Sequence, residues 1–200
     1  MIMKLLPLGS YQANCYILES AGEIAVIDPG DEGEKVLAQL EGKEPKYILL
    51  THGHFDHTGA VAMLRDKFPS VMVGIHPGDF ENADPEFFPI ARQLTEVYPL
   101  AGGQSFTLGD TEIQVIHTPG HSKGSVCFLV KDCLFTGDTL FYCNMGRTDL
   151  TGGSYPELLA SLKKLADLSG NYQVFPGHDR HSSLDFERKN NPYMREALGK

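Results

Sequence analysis

Short apolar runs that stop at a tight turn and a polar residue recur along this chain. Alternating or β-branched apolar positions predict strands over residues 2–6, 15–19, 23–27, 47–50 and 71–75, the first alternation reaching Leu8. The first strands read as antiparallel neighbours, and Asp28-Pro29-Gly30-Asp31 reads as a turn. Val36, Leu37 and Leu40 at helical spacing predict a helix over 32–40. Val61, Met63, Leu64 and Phe68 predict another over 58–68. Residues 76–100 are irregular, rich in proline and acidic residues, with room for a short helix near 87–93. A segment this loose either covers a functional edge or is a surface excursion.

The second half repeats the pattern. Strands are expected over 104–108, 111–117, 125–130, 133–136 and 172–175. Leu158, Leu159, Leu162, Leu165 and Leu168 give a helix over 155–168 one broad apolar face. Helical turns are expected over 184–188 and 191–197. Two β-rich halves, each with helices, predict an α/β (α+β) domain of two sheets face to face with helices outside. No repeat, linker or low-complexity tract divides residues 1–200.

The polar residues at the strand ends carry the chemistry. Tyr47-Ile48-Leu49-Leu50 runs straight into Thr51-His52-Gly53-His54-Phe55-Asp56-His57. His121, Asp138 and His178 follow three other β-prone segments, each directly after a glycine that permits a sharp turn and close approach. Imidazole and carboxylate are the ligands that borderline divalent metals prefer. Strands ending on one sheet edge would deliver all of them to one place.

Composition narrows the partners. The chain of 200 residues has 42% hydrophobic residues, enough for one large core, and a net charge of −9. An acidic chain without a basic stripe is not expected to bind nucleic acid. No stretch approaches a membrane span, and residues 1–7 do not read as a signal peptide, so no membrane partner is expected. Cys15, Cys127, Cys133 and Cys143 form no C-x-x-C pair, which favours a reducing, cytoplasmic setting over a disulfide scaffold. Cys127 and Cys133 read as core thiols, and Cys143 lies near enough to Asp138 in sequence to approach the site. No G-x-S-x-G is present, so no side chain is expected as a covalent nucleophile.

The series His52-x-His54-x-Asp56-His57, His121, Asp138 and His178 resembles the metallo-β-lactamase superfamily. That resemblance implies an αβ/βα four-layer sandwich. It implies one metal on His52, His54 and His121, a second on Asp56, His57 and His178, and Asp138 bridging them. Asp56 is implied as a catalytic residue as well as a ligand. Two divalent ions are expected, zinc first, with iron or manganese as alternatives. Gly137-Asp138-Thr139-Leu140-Phe141 and Gly146-Arg147 look like glyoxalase II, a thioester hydrolase. The family's basic residue matching Arg147 contacts the glutathione part of its substrate. Arg147 and Tyr142 are therefore the expected contacts to a small anionic thioester, cleaved by a metal-activated hydroxide, with a structural salt bridge as the other reading of Arg147. Asp149 stands where full-length enzymes tend to carry Tyr, and the family's C-terminal helical domain is not expected here. The string resembles the short single-domain glyoxalase II-like hydrolases and equally the persulfide dioxygenases. The dioxygenase alternative would place a single iron at His52, His121 and Asp138. His117 reads as a support for the ligands or a buried structural residue, His181 as a surface residue, and Asp28 as a hydrogen-bonding anchor for the ligand loop or a simple turn former.

Overall fold

A computed structural model describes residues 1–81 and 84–200. Ile2–Leu8 (β1), Ala13–Ser20 (β2) and Glu23–Ile27 (β3) form an antiparallel meander. Tyr47–Leu49 (β4), Met72–Ile75 (β5) and Tyr98–Pro99 (β6) extend it in parallel, giving the order β1-β2-β3-β4-β5-β6. The second sheet is built from Ser105–Leu108 (β7), Thr111–His117 (β8), Val126–Val130 (β9), Cys133–Gly137 (β10), Gln173–Pro176 (β13) and Ser182–Ser183 (β14), in the order β14-β13-β10-β9-β8-β7. Leu140–Phe141 (β11) and Asn144–Met145 (β12) make a separate small hairpin.

Period-two alternation explains the layers. In β2, Cys15 and Ile17 face Val36 and Leu40 of helix α1 (Gly33–Leu40), while Tyr16 and Leu18 face the second sheet. In β10, Phe135 joins that central core, and Leu134 packs under helix α5 (Tyr155–Ala166) with Leu162 and Leu165. Strands buried on both faces read as continuous apolar runs, as their sequences do. Helices α1 and α3 (Val61–Lys67) cover one sheet; α5, α6 (Leu184–Asn190) and α7 (Pro192–Ala197) cover the other. The result is the expected four-layer sandwich. Among the described residues no helix is long and apolar enough to cross a membrane.

Two expectations need correction. The helix expected over 58–68 is split into α2 (Phe55–Thr58) and α3. The N–H of Ala60 bonds Pro29 O at 3.0 Å rather than continuing the helical ladder, and Gly59 packs against the carbonyl of Gly30. Helix α2 also takes in Asp56 and His57, expected in a loop. The 87–93 helix is only the four residues Ile90–Gln93 (α4), preceded by Pro89. Positions 82 and 83 of the covering segment lie outside the described residues.

The topology positions the site. β8, β10 and β13 run in one direction, since β9 is antiparallel to both β8 and β10 and β13 is parallel to β10. Their C-terminal ends meet the C-terminal end of β4 across the sandwich, where Val126 N donates to Thr51 O at 2.7 Å. Tyr16 seals the same edge, its hydroxyl donating to Pro176 O at 2.6 Å.

Candidate metal centre

The ligand loop after β4 is anchored by Asp28, which is buried at the end of β3 in a left-handed conformation (φ 50°). Its carboxylate accepts from Thr51 N at 2.8 Å, Thr51 Oγ1 at 2.6 Å and His57 Nδ1 at 3.0 Å. The anchoring role expected of Asp28 is thus met. A carboxylate accepts only, so His57 donates from Nδ1 and turns its Nε2 inward, where loss of its proton would free a lone pair for a metal. On the other loops, His121 donates from Nδ1 to Arg147 O at 2.8 Å and His178 from Nδ1 to Tyr11 O at 3.2 Å. These bonds aim both Nε2 atoms at the same centre.

All seven candidate ligands converge. His52, His54 and His121 present ring nitrogens within 4.8 Å of one another, as do the ligand atoms of Asp56, His57 and His178. Asp138 stands between the two groups. Its Oδ2 lies 3.6 Å from His121 Nε2 and 3.7 Å from His178 Nε2, and its Oδ1 lies 3.4 Å from His57 Nε2. A third grouping, Asp28 with His52 and His57, is also close, but the Asp28 oxygens are already taken by Thr51 and His57 Nδ1. His52 Nε2 and Asp138 Oδ1 are buried without a hydrogen-bond partner among the described residues. Buried polar atoms left unpaired are costly, and here they point into a cage of lone pairs suited to a divalent cation.

The electrostatics agree. Burial, followed by the neighbouring histidines, pushes His52 well below its ordinary pKa and brings His54 to about 4. Burial would lower His57 too, but Asp138, Asp28 and Asp56 together outweigh it and hold the ring at about 9. Burial opposes ionisation of Asp56, yet His178 and His57 keep its carboxyl at about 2. The carboxylates therefore favour positive charge at this centre, whether carried by an imidazolium or a metal ion. Asp28→Asn is expected to lower metal affinity about 10–100-fold, because an amide lets the His57 ring reorient. Competition against a chelator measures it; unchanged affinity would mean that Asp28 does not orient His57.

Glycine before Asp138 and before His178 has a visible cause. Gly137 takes φ 47°, and a Cβ there would meet Thr51. A Cβ on Gly177 would sit 2.3 Å from Asp138 Oδ1 and 2.8 Å from His57 Cε1.

Sequence reasoning missed Asp79, which is fully buried. Its carboxylate accepts from Gly53 N at 3.0 Å, Gly124 N at 2.7 Å and Ser122 Oγ at 2.6 Å, clasping the His54 loop to the His121 loop. Burial raises its pKa, and the three donors partly offset that. The only signal was a Pro77-Gly78-Asp79 turn inside an irregular segment. That segment does reach the site: Phe88 stacks on the His54 ring at 4.9 Å, and Phe87 lines the cleft.

The cleft above the centre holds about 520 Å³, a size suited to a small ligand. Arg147 lines it, with its guanidinium held by Asp149 in two bonds of 2.7 and 2.8 Å. Tyr142 does not line it; the ring stacks on Phe186 and lies under Arg180, while Phe141 takes the cleft wall. Cys143 does not line it either, and its N–H is bound by Glu187. His117 supports none of the ligands. It stacks on His76 with centroids 4.2 Å apart and bonds Lys123 O. His181 is exposed, beside Phe175.

The chain resembles known proteins in sequence and fold. The profile of the metallo-beta-lactamase superfamily matches residues 8–178. The hydroxyacylglutathione hydrolase GloC of Haemophilus influenzae is 31% identical, over 97% of this chain and 98% of its own. The solved structure of TTHA1623 in a di-iron-bound form is 40% identical, covers 95% of this chain and 99% of its own, and superposes with a TM-score of 0.83. ETHE1 from Myxococcus xanthus is 27% identical over 96% of this chain and 84% of its own, with a TM-score of 0.81. A profile match over residues 8–178 and relatives more than 30% identical over nearly the whole chain make this protein a member of the metallo-beta-lactamase superfamily.

Proposed function

We propose that this chain is a metal-dependent hydrolase that cleaves a small thioester at a centre of two divalent ions, zinc first. The observation that carries the proposal is the Asp138 carboxylate, placed within 3.4–3.7 Å of ligand atoms from both groups. His52, His54 and His121 would hold one ion, and Asp56, His57 and His178 the other. Divalent ions bound there lower the pKa of a coordinated water towards neutrality and polarise a carbonyl. Asp138 and Asp56 offset the repulsion between the ions. Asp56 lines the cleft and stays ionised, so its Oδ2 can also accept and orient a water proton. The likeness to GloC over nearly the whole of both chains supports the thioester assignment. All four cysteines are unpaired, which supports a reducing, cytoplasmic setting.

The second reading is an iron-dependent persulfide dioxygenase using His52, His121 and Asp138, favoured by the likeness to ETHE1. Against it, the Asp56, His57 and His178 group is equally assembled, with Asp28 orienting His57. Elemental analysis of protein purified without added metal separates the two. The expected result is two divalent ions per chain, with thioester cleavage lost to a chelator and restored by zinc. One iron per chain, with oxygen uptake on a persulfide, would replace the hydrolase with the dioxygenase.

A further inference from the structure

Among the described residues the cleft over the centre has apolar walls and no free cation. Tyr11, Phe55, Phe87, Phe141, Met145 and Leu150 line it around the candidate ligands. Tyr11 and Phe55 stand edge to face, 5.3 Å apart, and are 62% and 48% exposed. Exposed aromatic side chains grouped at a concave site mark a binding surface. Among the described lining residues only Arg147 carries a fixed positive charge outside the histidines. Its Nε and Nη2 donate to the two oxygens of Asp149, a fork-to-fork pairing. The pair has no net charge, and it sets the Asp149 carboxylate beside any anion that approaches the guanidinium. Hydrogen bonding from Arg147 keeps Asp149 ionised, with its pKa at about 2. The chain's charge of −9 adds no attraction for anions. A carboxylate on the part of a substrate remote from the ions would meet apolar walls without a counter-ion, and such desolvation is unfavourable.

We infer that this site takes a thioester whose thiol half carries no charge, and that Asp149 sets this specificity by occupying Arg147. The inference rests on the thioester reading above, and it departs from the expectation that Arg147 holds an anionic carrier. The acyl group or the thiol body packs on the Tyr11–Phe55 wall, and recognition is by apolar area.

Two hydrolysis-inert thioethers with the same benzyl group test it: N-acetyl-S-benzylcysteamine, which is neutral, and S-benzylglutathione, which has two carboxylates. Titration calorimetry on the metal-loaded chain should find the neutral compound bound at least ten-fold more tightly. Asp149→Asn, at an exposed position, should tighten S-benzylglutathione several-fold and leave the neutral compound unchanged. Equal or tighter binding of S-benzylglutathione to the unaltered chain would overturn the inference. So would binding of neither compound, or an Asp149→Asn chain that gains nothing. Turnover of the matching thioesters is scored separately. If no thioester is cleaved while the neutral thioether is still preferred, the hydrolase reading fails and the charge selection stands.

Discussion

Asp138→Ala is expected to remove nearly all turnover while both sheets stay folded. The loss should exceed about a thousand-fold, some 4 kcal/mol of barrier. Both ligand groups depend on this one carboxylate, which lies 3.6 Å from His121 Nε2 on one side and 3.4 Å from His57 Nε2 on the other. Without it, two divalent ions held by the two groups would repel each other with less charge between them. Metal content should therefore fall by at least one ion per chain, as read by elemental analysis. Asp138 follows β10 and belongs to none of the three apolar cores, so the far-ultraviolet dichroism should keep its form. A variant that keeps its full metal complement and ordinary activity would show that Asp138 is not shared between the groups.

Asp79→Ala should produce a large loss of stability. Three buried donors, from Gly53, Gly124 and Ser122, would lose a charged acceptor. Hydrogen bonds to a charged group contribute about 1.5–3 kcal/mol each, and partial rearrangement brings the expected total to about 3–5 kcal/mol. For a chain of this size that lowers Tm by roughly 6–20 °C. Metal affinity should fall as well, since the His54 and His121 loops are no longer tied together. Thermal unfolding with and without zinc measures both effects. A Tm within about 2 °C of the unaltered chain would mean that the two loops are held by something other than Asp79.

The candidate ligand set was legible because its loops follow strand ends that sequence marks plainly. At His121, Asp138 and His178 an apolar strand ends, a glycine permits the turn, and the candidate ligand follows. The glycines at 137 and 177 have no room for a Cβ, so the marking is a steric requirement of the centre. The strands were legible because alternate residues fill different cores, as Cys15 and Tyr16 do. The break between α2 and α3 was hidden, because it depends on Ala60 finding the carbonyl of Pro29, a contact that local periodicity does not encode. The β11–β12 hairpin was hidden as well, because its turn places Cys143 at φ 51°, where a glycine or asparagine would have been the signal.

Chain order alone therefore picked out the candidate metal ligands and the strand ends that carry them. Pattern and turn chemistry are local, and they survive without any knowledge of neighbours. Only the tertiary structure decided which of these side chains meet, and what each partner leaves free. Asp28 takes His57 Nδ1 and so commits Nε2 to the centre. Asp79, an unremarked acid in a loose segment, becomes a clasp because folding buries it against three donors. Arg147 left two readings open in the sequence, a substrate contact or a salt bridge, and the structure pairs its guanidinium with Asp149. The charge a residue offers to a substrate depends on the groups beside it in space, and spacing along the chain does not record that.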